Sequence, residues 1–165
     1  MKIDQKLFLE VPLNSNDRNP CSPSAPAPDW RGIVIQAPEK VTFKRDQTVD
    51  EYGAFAAIPV CGYCQLDVLT EPWPEPMRLF AVDRATGTVY SGDVVELDPS
   101  PEKPPPEDEE PLTPEEVEGL ATGTYFNPNL ADFVQLPQKP AIYNIYVEFR
   151  EVRSNMVAVE IVEAK

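Results

Sequence analysis

Histidine is missing from this sequence, and basic residues are scarce. The absence of histidine excludes Ser-His-Asp and Cys-His catalysis, His-ligated zinc and histidine-based pH switching. The chain carries 14 lysines and arginines against 28 aspartates and glutamates, which gives a formal net charge of -14. Because nucleic acids and anionic membrane surfaces bind basic patches, we expect neither as a direct partner.

Long apolar runs are also missing. No window approaches the roughly 18 apolar residues of a membrane-spanning helix, so we expect no membrane insertion. The N-terminal stretch holds charges inside a short apolar run, unlike a secretory leader. A cytoplasmic location follows if Met1 is the native start, whereas an added Met1 leaves export equally open. The 42% hydrophobic content suffices for a buried core, and we predict a single domain over residues 1–165.

Sequence motifs that carry chemistry are absent as well. There is no glycine-rich phosphate loop, no Gly-x-Ser-x-Gly elbow and no metal-ligand spacing. Asp46, Asp50 and Glu51 surround a loop, but their spacing matches no calcium-binding loop. We therefore predict a protein that is not an enzyme and that binds no cofactor or metal.

Three cysteines are present, and two of them belong to the motif Cys61-Gly62-Tyr63-Cys64. A thioredoxin-like redox site needs a helix after this motif, but three prolines follow within five positions of one another. Two structural interpretations are open. In one, Gly62-Tyr63 is a hairpin turn and the two cysteines face each other, as a disulfide or as buried thiols. In the other, the strand continues, its cysteines point to opposite faces, and one of them can meet Cys21.

Two proline-rich segments interrupt the chain. Residues 12–30 contain five prolines and are expected to form an extended loop. Residues 98–118 contain seven prolines, nine acidic residues and a single lysine. We predict that this second segment is a disordered acidic insertion, because extended chain with repelling charges cannot pack into a core. Four acidic residues in it are candidates for docking on a basic protein surface: Glu107, Asp108, Glu109 and Glu110.

Short β-prone runs separated by loop signals account for most of the remaining chain. Residues 141–152 alternate between apolar and polar positions, and residues 156–162 alternate again, which predicts an antiparallel hairpin. A second hairpin is predicted where Gly87 closes a short loop. The other predicted strands cover 6–11, 32–36, 41–45, 55–60, 65–69, 77–82, 87–90, 124–126 and 132–136. So many short strands with almost no helical period predict an all-β sandwich.

The C-terminal hairpin carries a family resemblance. The segment LPQKPAIYNIYV at 136–147, followed by Ser154-Asn155 and a second alternating strand, resembles the closing strand pair of immunoglobulin-like and fibronectin III-like domains. This resemblance implies an antiparallel immunoglobulin-like β-sandwich. It also implies that Tyr143 supplies the tyrosine corner found near the start of the penultimate strand.

Two tryptophans stand beside proline-rich chain and are candidate anchors for a partner. Trp73 lies within Glu71-Pro72-Trp73-Pro74-Glu75-Pro76, and Trp30 follows the first proline-rich loop. Each can serve as an interface anchor or plug one end of the core.

The leading interpretation is a non-catalytic interaction or structural accessory protein. It would bind another protein, or a second copy of itself, through loops or sheet edges. A protease inhibitor presenting a rigid proline-rich loop is one alternative. A thiol oxidoreductase using Cys61 and Cys64 is another.

Overall fold

A computed structural model describes residues 5–8, 13–15, 18–43, 57–67, 75–94 and 120–163. The strands in chain order are β1 (Gly32–Gln36), β2 (Lys40–Phe43), β3 (Cys61–Asp67), β4 (Arg78–Asp83), β5 (Val89–Asp93), β6 (Ala121–Phe126), β7 (Ala141–Phe149), β8 (Val152–Arg153) and β9 (Val157–Glu163). The helices among these residues are the 3-10 helix Gln5–Phe8 and the α-helix α1 (Leu130–Phe133), each four residues long. No helix among the described residues has the length and apolar character needed to cross a membrane.

The strands form two sheets. The smaller sheet has the antiparallel order β1-β3-β6, and the larger sheet has the order β2-β9-β7-β4-β5 with β8 also paired to β7. The predicted all-β class is confirmed. The expectation of purely antiparallel pairing is wrong at one place, because β2 runs parallel to β9. The larger sheet is therefore mixed.

Both sheets turn one face toward a shared hydrophobic core. The smaller sheet contributes Ile33, Ile35, Cys64, Leu66 and Phe126. The larger sheet contributes Phe43, Leu79, Ala81, Tyr143, Ile145, Val147, Val159 and Ile161. These residues recur at every second position of their strands, because successive side chains of a β-strand point to opposite faces. The other face of each sheet points away from this core.

The two predicted hairpins of the larger sheet are present. Strands β7 and β9 pair antiparallel with Tyr143 opposite Val159. Strands β4 and β5 are joined by a short loop in which the buried Asp83 carboxylate accepts hydrogen bonds from the backbone N–H groups of Ala85 and Thr86. Gly87 follows with a φ of 76°, which a glycine adopts without steric cost. This loop fixes the register that aligns β4 with β5.

Several predicted elements are wrong within the described ranges. The strand predicted over 55–60 is missing at 57–60, where Pro59 forms only an isolated bridge with Asn129. The strand predicted from residue 6 onward begins instead as the 3-10 helix Gln5–Phe8. The strand predicted over 132–136 overlaps α1, which Asn129 begins by accepting a hydrogen bond from Ala131 N–H. Of the two interpretations of the cysteine motif, the turn at Gly62-Tyr63 is wrong. The continuous strand is the one that forms, because β3 runs straight through the motif and Cys61 meets Cys21. Gly62 is needed there for a different reason, since the Phe126 ring occupies the place of a Cβ.

Candidate interaction surface

Several candidate binding residues fall outside the described part of the chain. Trp73 is one of them, as is the whole of the predicted acidic insertion, including Glu107, Asp108, Glu109 and Glu110. Docking through the insertion and the protease-inhibitor alternative both stay predictions. Trp30 is described and is half-buried, with its ring packed over Gly32. Its carbonyl accepts a 2.7 Å hydrogen bond from Gln65 Nε2, which attaches the chain before β1 to β3.

The cysteines lie on opposite faces of β3. Cys61 forms a disulfide with Cys21 on the face that points away from the core, where Phe8 and Leu7 cover it. Cys64 is a free thiol in the core, and burial raises its pKa to about 11. A dithiol redox pair needs two neighbouring sulfurs and a low thiol pKa. The arrangement therefore gives no support to redox chemistry at this motif.

Asparagine side chains attach the N-terminal segment to the chain between β6 and α1. Asn129 N–H donates to the Asn14 side-chain oxygen at 2.9 Å, and Ile58 N–H donates to the Asn129 side-chain oxygen at 2.8 Å. Asn14 and Ser15 also exchange backbone hydrogen bonds with Asn127. Together with the disulfide, these bonds hold the N-terminal segment against the smaller sheet. That sheet's outward surface is partly covered as a result.

The larger sheet presents a different surface, which we call the outer face. It is formed by the side chains of β4, β5, β7, β8 and β9 that point away from the core. At its centre the rings of Phe80 and Tyr146 stack in parallel, with centroids 4.7 Å apart. The register sets this pair, because Phe80 lies directly opposite Tyr146 across β4 and β7. Arg153 completes the cluster with its guanidinium 4.6 Å from the centre of the Tyr146 ring.

Exposed apolar side chains surround the stacked rings. Val89 at the sheet edge is 56% exposed, and Met156, just before β9, is 53% exposed. Val82 lies between Val89 and Asn144 in the register, next to the aromatic pair. Ile142 is also exposed. A group of exposed apolar residues around aromatic rings is typical of a protein-binding surface.

Charged side chains border this apolar centre, and they occur in pairs of opposite sign. Arg78 bonds Asp93 at 2.9 Å, and Arg153 bonds Glu148 at 2.8 Å, along one border. Lys40 lies 3.5 Å from Glu160 near the opposite border. The hydrogen bond to Asp93 raises the pKa of Arg78. Although the chain as a whole is strongly acidic, these paired groups add no net charge to the outer face.

Tyr143 lies beneath this surface at the start of β7 and is fully buried. Its ring meets that of Tyr90 edge to face at 6.1 Å. Burial raises its pKa to about 12. No described residue forms a hydrogen bond with its hydroxyl. The corner hydrogen bond implied by the sequence resemblance therefore has no partner within the described ranges.

The described surface includes a groove and a cleft. A groove of about 570 Å³ lies between the N-terminal 3-10 helix and β2, lined in part by Phe8, Pro38 and Val41. A cleft of about 310 Å³ lies beside the outer face, lined in part by Glu75 and Arg150. Within the described ranges, no group of histidine, cysteine or acidic residues could hold a metal ion. Neither cavity brings together a recognisable set of catalytic groups.

The outer face could not be found from the sequence alone. The alternation along residues 141–152 places Tyr146 on the polar side of its strand. From the sequence alone, Tyr146 is therefore indistinguishable from an isolated surface aromatic. Phe80 lies 66 positions earlier in the chain, and only the pairing of β4 with β7 makes the two residues neighbours. One sequence feature does point to these two residues, because both aromatics occupy outward-facing positions of β-prone runs.

Comparison with protein families, with curated proteins and with solved structures yields no match.

Proposed function

We propose that this chain is a non-catalytic immunoglobulin-like domain that binds another protein through the outer face of its larger sheet. The observation that carries the proposal is the stacked pair of Phe80 and Tyr146, surrounded by exposed apolar residues and bordered by paired charges. Protein interfaces commonly combine an aromatic centre with a polar rim in this way. The proposed binding surface is therefore a sheet face, whereas the sequence predicted loops or sheet edges.

The strand order supports an immunoglobulin-like arrangement. In that fold, strands A, B and E share one sheet, while G, F, C and C′ share the other. The order β1-β3-β6 matches the first set, and the order β9-β7-β4-β5 matches the second. The missing corner hydrogen bond of Tyr143 is a departure from the pattern. The proposal therefore depends on strand order and on the shared core rather than on this one residue.

Two further features bear on the partner and on the compartment. The segment 98–118 carries a large share of the chain's negative charge, which suits a partner with a basic region beside its docking surface. The disulfide between Cys21 and Cys61 fits an oxidising compartment better than the cytoplasm. We accordingly propose an exported protein, in place of the cytoplasmic location expected for a native Met1.

A pull-down from the native source with matched surface variants tests the proposed face. The bait is wild type, Val89→Ser or Met156→Ser. Leu120→Ser serves as the control, because Leu120 is similarly exposed, at 48%, and lies just before β6 of the other sheet. We expect a bound protein that wild type and Leu120→Ser retain and that both outer-face variants lose. A bait that lacks residues 99–112 is tested separately. Lower recovery of the bound protein by this bait would show that the acidic insertion contributes to binding.

Equal recovery of every protein by all of these baits would overturn the proposed face. Circular dichroism and thermal unfolding of each bait verify that the substitutions leave the fold intact. Because surface substitutions usually change stability by no more than about 0.5 kcal/mol, all baits should unfold at similar temperatures.

A further inference from the structure

One border of the outer face carries a regular row of charges. It consists of one residue from each of four neighbouring strands, in the order Asp93, Arg78, Glu148, Arg153. The register places Arg78 opposite both Asp93 and Glu148, and Glu148 opposite Arg153. The signs across the sheet are therefore negative, positive, negative, positive. We call these four residues the charge row.

The charge row is complementary in sign to the same row read in the opposite direction. A two-fold axis parallel to the strands, between β4 and β7, would set a second copy face to face with the first and reverse the order of its strands. Asp93 would then meet Arg153 of the second copy, and Arg78 would meet Glu148 of the second copy. Four attractive contacts result, and none is repulsive.

The apolar centre fits the same axis. Phe80 on β4 and Tyr146 on β7 are direct register partners, so they lie on either side of it. In the paired arrangement Phe80 would meet Tyr146 of the second copy, and the aromatic rings of both copies would share one buried centre. We propose that the outer face binds the outer face of a second copy of this chain. The inference rests on the proposed function, and it identifies the partner of that surface.

Size and charge agree with a weak dimer. Strands about 4.8 Å apart and same-face residues about 7 Å apart give the face a footprint of roughly 20 by 25 Å, or about 500 Å² per copy. The total of about 1,000 Å² lies at the lower limit for a specific interface, which predicts weak pairing. The charge row has no net charge, so two chains of charge -14 meet here without local repulsion.

Sedimentation equilibrium of the full chain over a concentration series tests the pairing. Wild type should show a reversible monomer–dimer equilibrium. Arg78→Glu places two negative charges against each other at two symmetric positions, and we expect at least tenfold weaker dimerisation because like charges in contact are costly. Glu148→Arg creates two positive clashes and should have the same effect. Arg31→Glu is the control, since Arg31 pairs with Asp67 away from the charge row.

Mixing the two row variants gives the sharpest result. In a heterodimer of Arg78→Glu with Glu148→Arg, every position of one row again faces an opposite charge on the other. The equimolar mixture should therefore form heterodimers about as tightly as wild type forms homodimers, although neither variant pairs with itself. Disruption of folding by either substitution could not produce this recovery, and thermal unfolding of each variant provides an independent check.

Three results would overturn the inference. They are a wild-type chain that stays monomeric at every concentration, row variants that dimerise as wild type does, and a mixture that pairs no better than its components. If such a result accompanies loss of a different bound protein from Val89→Ser in the pull-down, the proposed function stands and only self-pairing fails. If the pull-down is also unaffected, both fail.

Discussion

Removal of the disulfide should destabilise the protein strongly. Cys21 and Cys61 are 40 positions apart, and cross-linking a loop of that length lowers the entropy of the unfolded chain. The chain-entropy relation gives about 4 kcal/mol at 25 °C for such a loop. With an m-value of about 2 kcal/mol per molar urea, the unfolding midpoint of Cys21→Ala/Cys61→Ala should fall by about 2 M. Urea unfolding followed by tryptophan fluorescence measures this shift.

Controls separate the disulfide from ordinary effects of cysteine replacement. Cys64→Ala removes a core thiol without touching the disulfide, so we expect a loss of only about 1 kcal/mol. A reductant should lower the stability of wild type and leave the double variant unchanged. Thiol titration of denatured, unreduced wild type should find one free thiol. Equal stability of wild type and the double variant, or three free thiols in wild type, would refute the reasoning.

Two further predictions concern buried groups. Tyr143→Ala should cost about 3–5 kcal/mol because it empties a fully buried ring site, whereas Tyr143→Phe should gain about 1 kcal/mol by removing an unpaired hydroxyl. A loss of stability in Tyr143→Phe would instead reveal a hydrogen bond. Alkaline pH should destabilise the fold, because burial raises the folded-state pKa of Cys64 to about 11 and that of Tyr143 to about 12, above the ordinary values of 9.0 and 10.0. This stability is fully present below pH 9 and is lost between about pH 9 and pH 12, so unfolding of Cys64→Ala/Tyr143→Phe at several pH values should show a flatter profile.

Local patterns in the sequence were sufficient for the strands of the C-terminal hairpin. Apolar residues at every second position of 141–149 and 157–163 predict β7 and β9 and also the faces that become buried. The loop with Gly87 was equally predictable from the sequence, because a turn is specified by adjacent residues. Prediction failed at α1, because the helix that begins after Asn129 extends into the strand predicted over 132–136. The sequence feature that favours the helix is a single capping residue, Asn129. A single cap stabilises a helix only slightly unless neighbouring parts of the chain pack against it.

The sequence by itself determined the all-β class, the absence of histidine chemistry and the alternation that separates core from surface. Each of these depends on composition or on residues close together in the chain. Only the tertiary structure decided that Cys21 joins Cys61, that Phe80 stacks on Tyr146, and that four charges line up with alternating signs. Cys21 and Cys61 are 40 positions apart, and the pairing of β4 with β7 brings Phe80 to Tyr146 and Arg78 to Glu148 from distant parts of the chain. The pairing follows from how the whole chain buries its apolar surface, and no local pattern encodes it.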